Sequence, residues 1–457
     1  MVRRWASVAA ALVLVGCSGG ADQGEPTTTT ASISPTTSEV VVEPPTSTVG
    51  QEPAPTSTVV TPVEEWRVDA AECPDPAAAT ALLPSPLRIG VLAPTAGLPG
   101  AAATPIVHAL QAGLAALVPD AVVTVFEDPI DPQARAEVVA AADVDLFVGT
   151  VGSEASATVA DVLESRCIPQ LFALGDASQL DDPEASPWNT SAATPAAVEA
   201  AAFMGNVAAN AGESQSAPGS LRVGVFLTIA DSADSTEASL RDAAAAAAVS
   251  VDLVVRVNPF DGLGVIAAAN QLSSADLDAV VLASSGLDCI SFLQAWDIAQ
   301  GEPTEADPVG PTVYLAGACA SRAVLRGAGP AADEALSSAV FVDVADEAVA
   351  ADLQVAEYLD AMLGAGYERE AAFGVAGWVI AQATAATLSQ AGDSPTGVTR
   401  ASLVEAARSL TLESALLQPE ILVVTGGVTD PFFFDSVRLA RYSADTDSFE
   451  NLVTGIG

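Results

Sequence analysis

Short apolar runs alternate with stretches of helical period from residue 87 to residue 342. Runs 87–92, 121–126 and 144–148 predict buried strands, because a strand covered on both faces is nearly continuous in apolar residues. Between them, residues 105–117 place Ile106, Leu110 and Leu114 on one helix face, and 134–142 predict a second helix. A loop at 149–152 opens a helix over 153–165, with Ser153 at the expected N-cap, and another strand follows. This alternation calls for a parallel, doubly wound sheet with right-handed crossovers. The pattern breaks at 186–191, and a helix covers 195–211. A second series then begins, with strands 221–227, 251–257, 279–283, 312–315 and 339–342 and helices 236–247, 263–272 and 289–299. Helices follow at 348–364, 370–391 and 403–410, the second of them apolar nearly all round and therefore buried. Residues 421–425, 431–434 and 437–442 predict closing strands.

The N-terminus carries a different signal. Arg3 and Arg4 precede an apolar run at 6–15 that is too short to span a bilayer, and Leu14-Val15-Gly16-Cys17 ends it. That segment resembles the lipobox of bacterial lipoproteins, which implies a signal peptide over 1–16, lipidation of Cys17 and export to a membrane-anchored, extracytoplasmic location. Residues 17–64 are rich in Thr, Pro and Ser without periodicity, and predict a disordered tether.

Composition narrows the class. The chain has 457 residues, half of them apolar but only 5% aromatic, so Ala, Val and Leu fill the cores. Its formal charge is −42 and it has no lysine, which excludes nucleic acid as a partner. Cys73, Cys167, Cys289 and Cys319 remain after Cys17, match no zinc spacing and allow three disulfide pairings. His108 is the one histidine, set beside Val107 and Leu110, so a catalytic serine–histidine pair has little to draw on. GxGxxG and GxxxxGK[ST] are absent, and the GxSxG at 16–20 lies at the leader junction. No enzyme activity, metal or cofactor is expected.

From Leu87 onward the chain resembles the type I periplasmic binding proteins, above all the branched-chain amino-acid group of ABC-transport receptors. The resemblance rests on IGVLAPTAG at 89–97, Asp128 with DPQARAEVVAA at 131–141, and FVGTVGSEASATVADVLESRCIPQLFALGDAS at 147–178. VGVFLTIAD at 223–231, DAVVLASSGLDCISFLQAW at 278–296 and the late helix with Tyr367, Phe373, Gly374 and Trp378 complete it. It implies two doubly wound lobes, 65–187 with 347–426 and 191–342 with 430–457, joined by crossings near 188–191, 343–347 and 426–430. It also implies hinge closure on a small polar ligand and delivery to an ABC permease. A sensing or cell-envelope module of the same fold without transport is the alternative. Two lobes imply the pairing Cys73–Cys167 and Cys289–Cys319, each within one lobe.

The resemblance also implies a ligand site. In amino-acid-binding relatives a serine at the start of the helix after the third strand, with nearby backbone amides, holds the ligand carboxylate. Ser153 and Gly152 match that position. A second family position, usually threonine, falls on Asp176, a departure that suits an ammonium, a hydroxyl or a sugar. The loop at 316–319 lacks the acid with which relatives bind an ammonium, and the family's pocket tyrosines fall near Ser232 and Ser285. Thr95, Asp231, Ser284, Ser285 and Asp288 are the other polar candidates on the loops.

Overall fold

The computed structural model describes residues 66–452 apart from 176, 211–220, 230–231, 285, 302–309 and 318. The leader, Cys17 and the tether lie outside the described residues.

The first half runs α1 (Pro76–Thr80), β1 (Arg88–Ala93), α2 (Gly97–Leu117), β2 (Val122–Glu127), α3 (Pro132–Ala141) and β3 (Leu146–Val148). It continues through α4 (Ser153–Glu164), β4 (Gln170–Ala173), α5 (Ala177–Leu180) and β5 (Asn189–Ser191). These strands form one parallel sheet in the order β2-β1-β3-β4-β5. β1 is buried along all but its first residue, which is why its sequence is an unbroken apolar run.

The second half begins with α6 (Ala196–Ala209), β6 (Arg222–Thr228), α7 (Ala233–Ala246), β7 (Ser250–Val257) and α8 (Gly262–Ser273). Then come β8 (Ala279–Ala283), α9 (Leu287–Gln300), β9 (Thr312–Leu315), α10 (Arg322–Ala328) and β10 (Leu336–Ala339). The chain returns through α11 (Glu347–Ala350), α12 (Leu353–Gly364), α13 (Ala371–Asp393) and α14 (Arg400–Ala407) to a small ribbon of β11 (Thr411–Leu412) and β12 (Val423–Val424). It ends in β13 (Arg438–Ser443) and β14 (Ser448–Leu452). The second sheet has the order β14-β13-β10-β9-β8-β6-β7, in which β6 to β10 repeat the order of the first sheet and β13 and β14 add an antiparallel edge. The fold is thus two doubly wound sheets linked by three crossings.

Three local expectations change. Asn189–Ser191, expected as a crossing, is the fifth strand of the first sheet, so the first crossing is 192–195. The strand expected at 339–342 is Leu336–Ala339; residues 340–342 leave the sheet and bond to 416–418 instead, through Val342 N–H to Leu416 O at 3.0 Å and Gln418 N–H to Val340 O at 2.8 Å. Residues 431–434 form no strand. Phe433 and Phe434 are both buried, where a strand would send them to opposite faces. They plug the crossings as an aromatic chain: Phe172 of β4 lies 5.4 Å from Phe433, Phe433 4.9 Å from Phe434, and Phe434 5.8 Å from Phe341.

α2 and α13 cover the first half as a tight pair. A Cβ on Gly377 would lie 2.0 Å from the Ile106 carbonyl oxygen, and one on Gly374 would lie 2.8 Å from that of Pro105. No side chain fits at either point, so the absence of one sets the distance between the helix axes.

Both disulfides stay within one half. Cys73–Cys167 ties the segment before α1 to the turn after α4, and Cys289–Cys319 ties the first turn of α9 to the loop after β9. Their sequence separations of 94 and 30 residues correspond to about 4.5 and about 3.5 kcal/mol of loop-closure stabilisation.

Candidate functional site

Strand order reverses between β1 and β3, so the loops after these strands diverge and leave a crevice beyond the carboxyl end of the sheet. Thr95 stands exposed on the first loop and residues 149–152 form the second. Val151 N–H bonds to Leu92 O at 3.0 Å and Gly152 N–H to Leu174 O at 3.0 Å, which pins this loop between its neighbours. The chain then turns into α4 at Gly152 with φ 107°, a conformation open in practice only to glycine. That requirement shifts the cap: the N-cap is Gly152, without a side chain, and Ser153 is the first helical residue. The N–H groups of Ser153, Glu154 and Ala155 are those that a helix starting here leaves without an intrahelical acceptor, and they carry the positive end of its dipole. Thr95, Gly152 and Ser153 therefore border one crevice. Asp176, on the loop after β4, lies outside the described residues.

The second sheet reverses between β6 and β8 in the same way. Asp231 and Ser285, on the loops after these strands, also lie outside the described residues. Their neighbours show how the loops are held. The Thr228 and Ser284 hydroxyls bond to each other across the two strand ends. Asp288 is buried in the first turn of α9, and its carboxylate accepts the Phe260 N–H at 3.2 and 3.3 Å. The Cys289–Cys319 bridge lies beside it, with the Cys319 sulfur 3.2 Å from Ser284 O. Asp288 is thus a brace for the neighbouring loop.

Sequence reasoning missed Glu199. It sits in the first turn of α6, just past the first crossing, and its Oε1 accepts the Gly317 N–H at 2.6 Å and the Ser338 hydroxyl. Burial pushes its carboxyl up, against the lowering effect of those two bonds. The loop after β9 has no acid of its own, yet a carboxylate reaches it across 118 residues of sequence. A link of that length leaves no local signal. It also fixes geometry: the first crossing leaves the carboxyl end of β5 and arrives at the carboxyl ends of β9 and β10, so both sets of loops border one cleft.

His108 is elsewhere. Its ring stacks on Tyr367 at 3.8 Å and its Nδ1 lies 2.5 Å from Glu370 Oε2, in contacts of α2 with the segment before α13. A recess of about 310 Å³ between Trp66, Glu164 and Trp188 lies at the amino end of the first sheet, away from the cleft. Among the described residues no group of three or more His, Cys, Asp or Glu side chains is placed to hold a metal ion.

Comparison with known proteins agrees with this architecture. A solute-binding protein of an ABC transporter from R. palustris, solved with benzoate, superposes with TM-score 0.62 at 15% identity, over 80% of this chain and 95% of that one. A possible leucine/isoleucine/valine-binding protein from Rhodopirellula baltica gives 0.63 at 15% identity, over 82% and 97%. A fatty acid ABC transporter substrate-binding protein from Thermomonospora curvata gives 0.62 at 16%, over 80% and 91%. No curated protein matches the sequence. Residues 86–438 match the periplasmic binding protein family, and this span covers the first sheet, β6 to β10 of the second and all three crossings, so the chain belongs to that family, in its type I fold.

Proposed function

We propose that the protein is a lipid-anchored extracytoplasmic receptor that closes its two halves on a small solute and presents it to an ABC importer. The observation that carries this reading is the pair of strand-order reversals opening onto one cleft, the second brought to the first by a short crossing. Closure places the ligand between both sets of loops, so binding energy is released only in the closed form. The lobes are 65–187 with 347–426 and 191–342 with 430–457, the crossing correction apart. Cys17 bears the lipid, and residues 17–64 hold the receptor clear of the membrane.

In this reading the first half supplies donors. Ser153 and the N–H groups around it face an acidic or strongly polar group of the ligand, with Gly152 and Thr95 beside them. Asp176, Asp231 and Ser285 are the candidate contacts of the neighbouring loops, and Glu199 adds a carboxylate on the second half. Such a set suits an amino-acid-like solute, and the names of the structural neighbours extend the panel to aromatic and fatty acids.

A thermal-shift screen of amino acids, amides, sugars, aromatic acids and fatty acids tests it. A ligand at 100 times its dissociation constant adds about 2.7 kcal/mol to stability. Ser153→Ala weakens the hit by roughly 1–3 kcal/mol if its hydroxyl bonds the ligand. An unchanged affinity removes Ser153 from the site. Cys17→Ala releases the protein from membranes, and persistent membrane association refutes the anchor.

A further inference from the structure

The loops after β2 and β7 match each other more closely than the fold requires. β2 is one edge of the first sheet and β7 one edge of the second, while all three crossings leave from the opposite side, at β5, β10 and β13. With the carboxyl ends facing one cleft, the β2 and β7 loops are its two lips, farthest from the hinge. Each lip ends in an aspartate that caps the next helix: Asp131 accepts the Ala134 N–H at 2.8 Å, and Asp261 accepts the Gly264 N–H at 3.0 Å. The residue before each aspartate is large and apolar, Ile130 on one lip and Phe260 on the other. An apolar residue there ordinarily folds back onto the first turn of the helix it precedes. Here neither does. Ile130 is 95% exposed and Phe260 67%, with Leu263 beside it at 81%.

Phe260 is also held at φ +62°, a strained conformation for an aromatic residue, and the buried Asp288 carboxylate grips its N–H there. A buried side chain and a strained backbone are thus both committed to pointing a phenyl ring into water.

We propose that the two lips form an apolar latch, in which closure of the cleft packs Ile130 against Phe260 and Leu263. The latch rests on the hinge-closing reading above and goes beyond it. It stabilises the closed form without touching the ligand, and so sets how much of the binding energy is spent on closing. Asp288 is its positioning residue, and because Asp288 adjoins the loop after β8, the lip and the ligand loop share one brace.

Two measurements on the full-length protein test this. Ile130→Cys combined with Phe260→Cys forms a cross-link under mild oxidation, seen by non-reducing peptide mapping. Leu353→Cys, on α12, combined with Phe260→Cys is the control. A lip-to-lip yield no higher than the control overturns the latch. Spin labels at Glu137→Cys on α3 and Asn270→Cys on α8 then read the width of the mouth. The closed population falls roughly tenfold in Phe260→Asn, equivalent to about 1.4 kcal/mol, and Phe260→Leu retains most of it. Asparagine accepts the left-handed backbone, so this change removes the ring without breaking the loop. Ile130→Ser acts in the same direction and adds little on top of Phe260→Asn. A closed population that neither substitution changes overturns the latch and leaves the receptor reading standing. A single open distance in every variant, and with every ligand of the panel, removes both.

Discussion

The two sheets turn at the same point in the same strand order, yet they secure the loops at that point by different means. In the first half the main chain does most of it: Val151 and Gly152 bond to neighbouring loops, glycine makes the turn into α4, and the Ser156 hydroxyl adds a bond to the Thr150 carbonyl. In the second half side chains add to main-chain bonds such as Ile229 N–H to Val257 O, through Asp288, the Thr228–Ser284 hydroxyl pair and the Cys289–Cys319 bridge, with Glu199 holding the next loop. A loop held by its backbone tolerates most substitutions except at its glycine. A loop held by side chains can be reshaped one residue at a time. In the proposed receptor, the second half is therefore where small changes of sequence retune what the cleft accepts.

The largest test of that contrast is at the disulfides. Replacing Cys73 and Cys167 with Ser costs about 4.5 kcal/mol in urea unfolding, and replacing Cys289 and Cys319 costs about 3.5 kcal/mol. Only the second pair also weakens ligand binding in titration, because only that bridge holds cleft loops; equal loss of affinity in both would erase the contrast. Next is Gly152→Ala, which costs roughly 2 kcal/mol because φ 107° strains any L-residue. A loss under half that size would show that the turn can relax. Thr228→Val is milder, at about 1 kcal/mol, since it leaves the Ser284 hydroxyl without its partner. No change in stability would mean that the pair holds nothing.

A last test is the pH dependence that Glu164 gives the first half. Burial pushes the Glu164 carboxyl up to about 7, against the hydrogen bonds from Trp188 and Asn189 and the charge of Arg408. Because the folded state holds this proton more tightly than the unfolded chain, its contribution is complete below about pH 4.5 and is lost as pH rises through 7. Stability curves of Glu164→Gln are flatter than wild type across that window; identical slopes would place the dependence on another group.

What was legible in the sequence followed from burial. Strands of parallel sheets are covered on both faces, so Arg88–Ala93, Arg222–Thr228 and Ala279–Ala283 announce themselves as apolar runs. The caps Asp131 and Asp261 are local signals of the same kind, though the helices expected at 134–142 and 263–272 rest on periodicity alone. The failures come where a residue answers to something distant. Phe433 and Phe434 carry the composition of a strand but plug the crossings, and the short polar segment Asn189–Ser191 reads as a break although it pairs with β4. Ser153 looked like the cap because serine prefers that place; backbone geometry at Gly152 outranked the preference. Glu199 could not be read at all, since its partners lie on β10 and the loop after β9.

The close pairing of α2 and α13 has a consequence beyond packing. Pro99–Leu117 and Ala371–Asp393, 19 and 23 residues, are each long and apolar enough to cross a bilayer. In the receptor proposed above, export as an extended chain takes both stretches through a channel that diverts strongly hydrophobic segments sideways into lipid. Leucine and isoleucine favour that diversion, whereas glycine, alanine and threonine contribute little to it. Ala371–Asp393 is built largely from the latter three. The residues that let the two helices touch at Gly374 and Gly377 are also the ones that let the segment travel through without being retained.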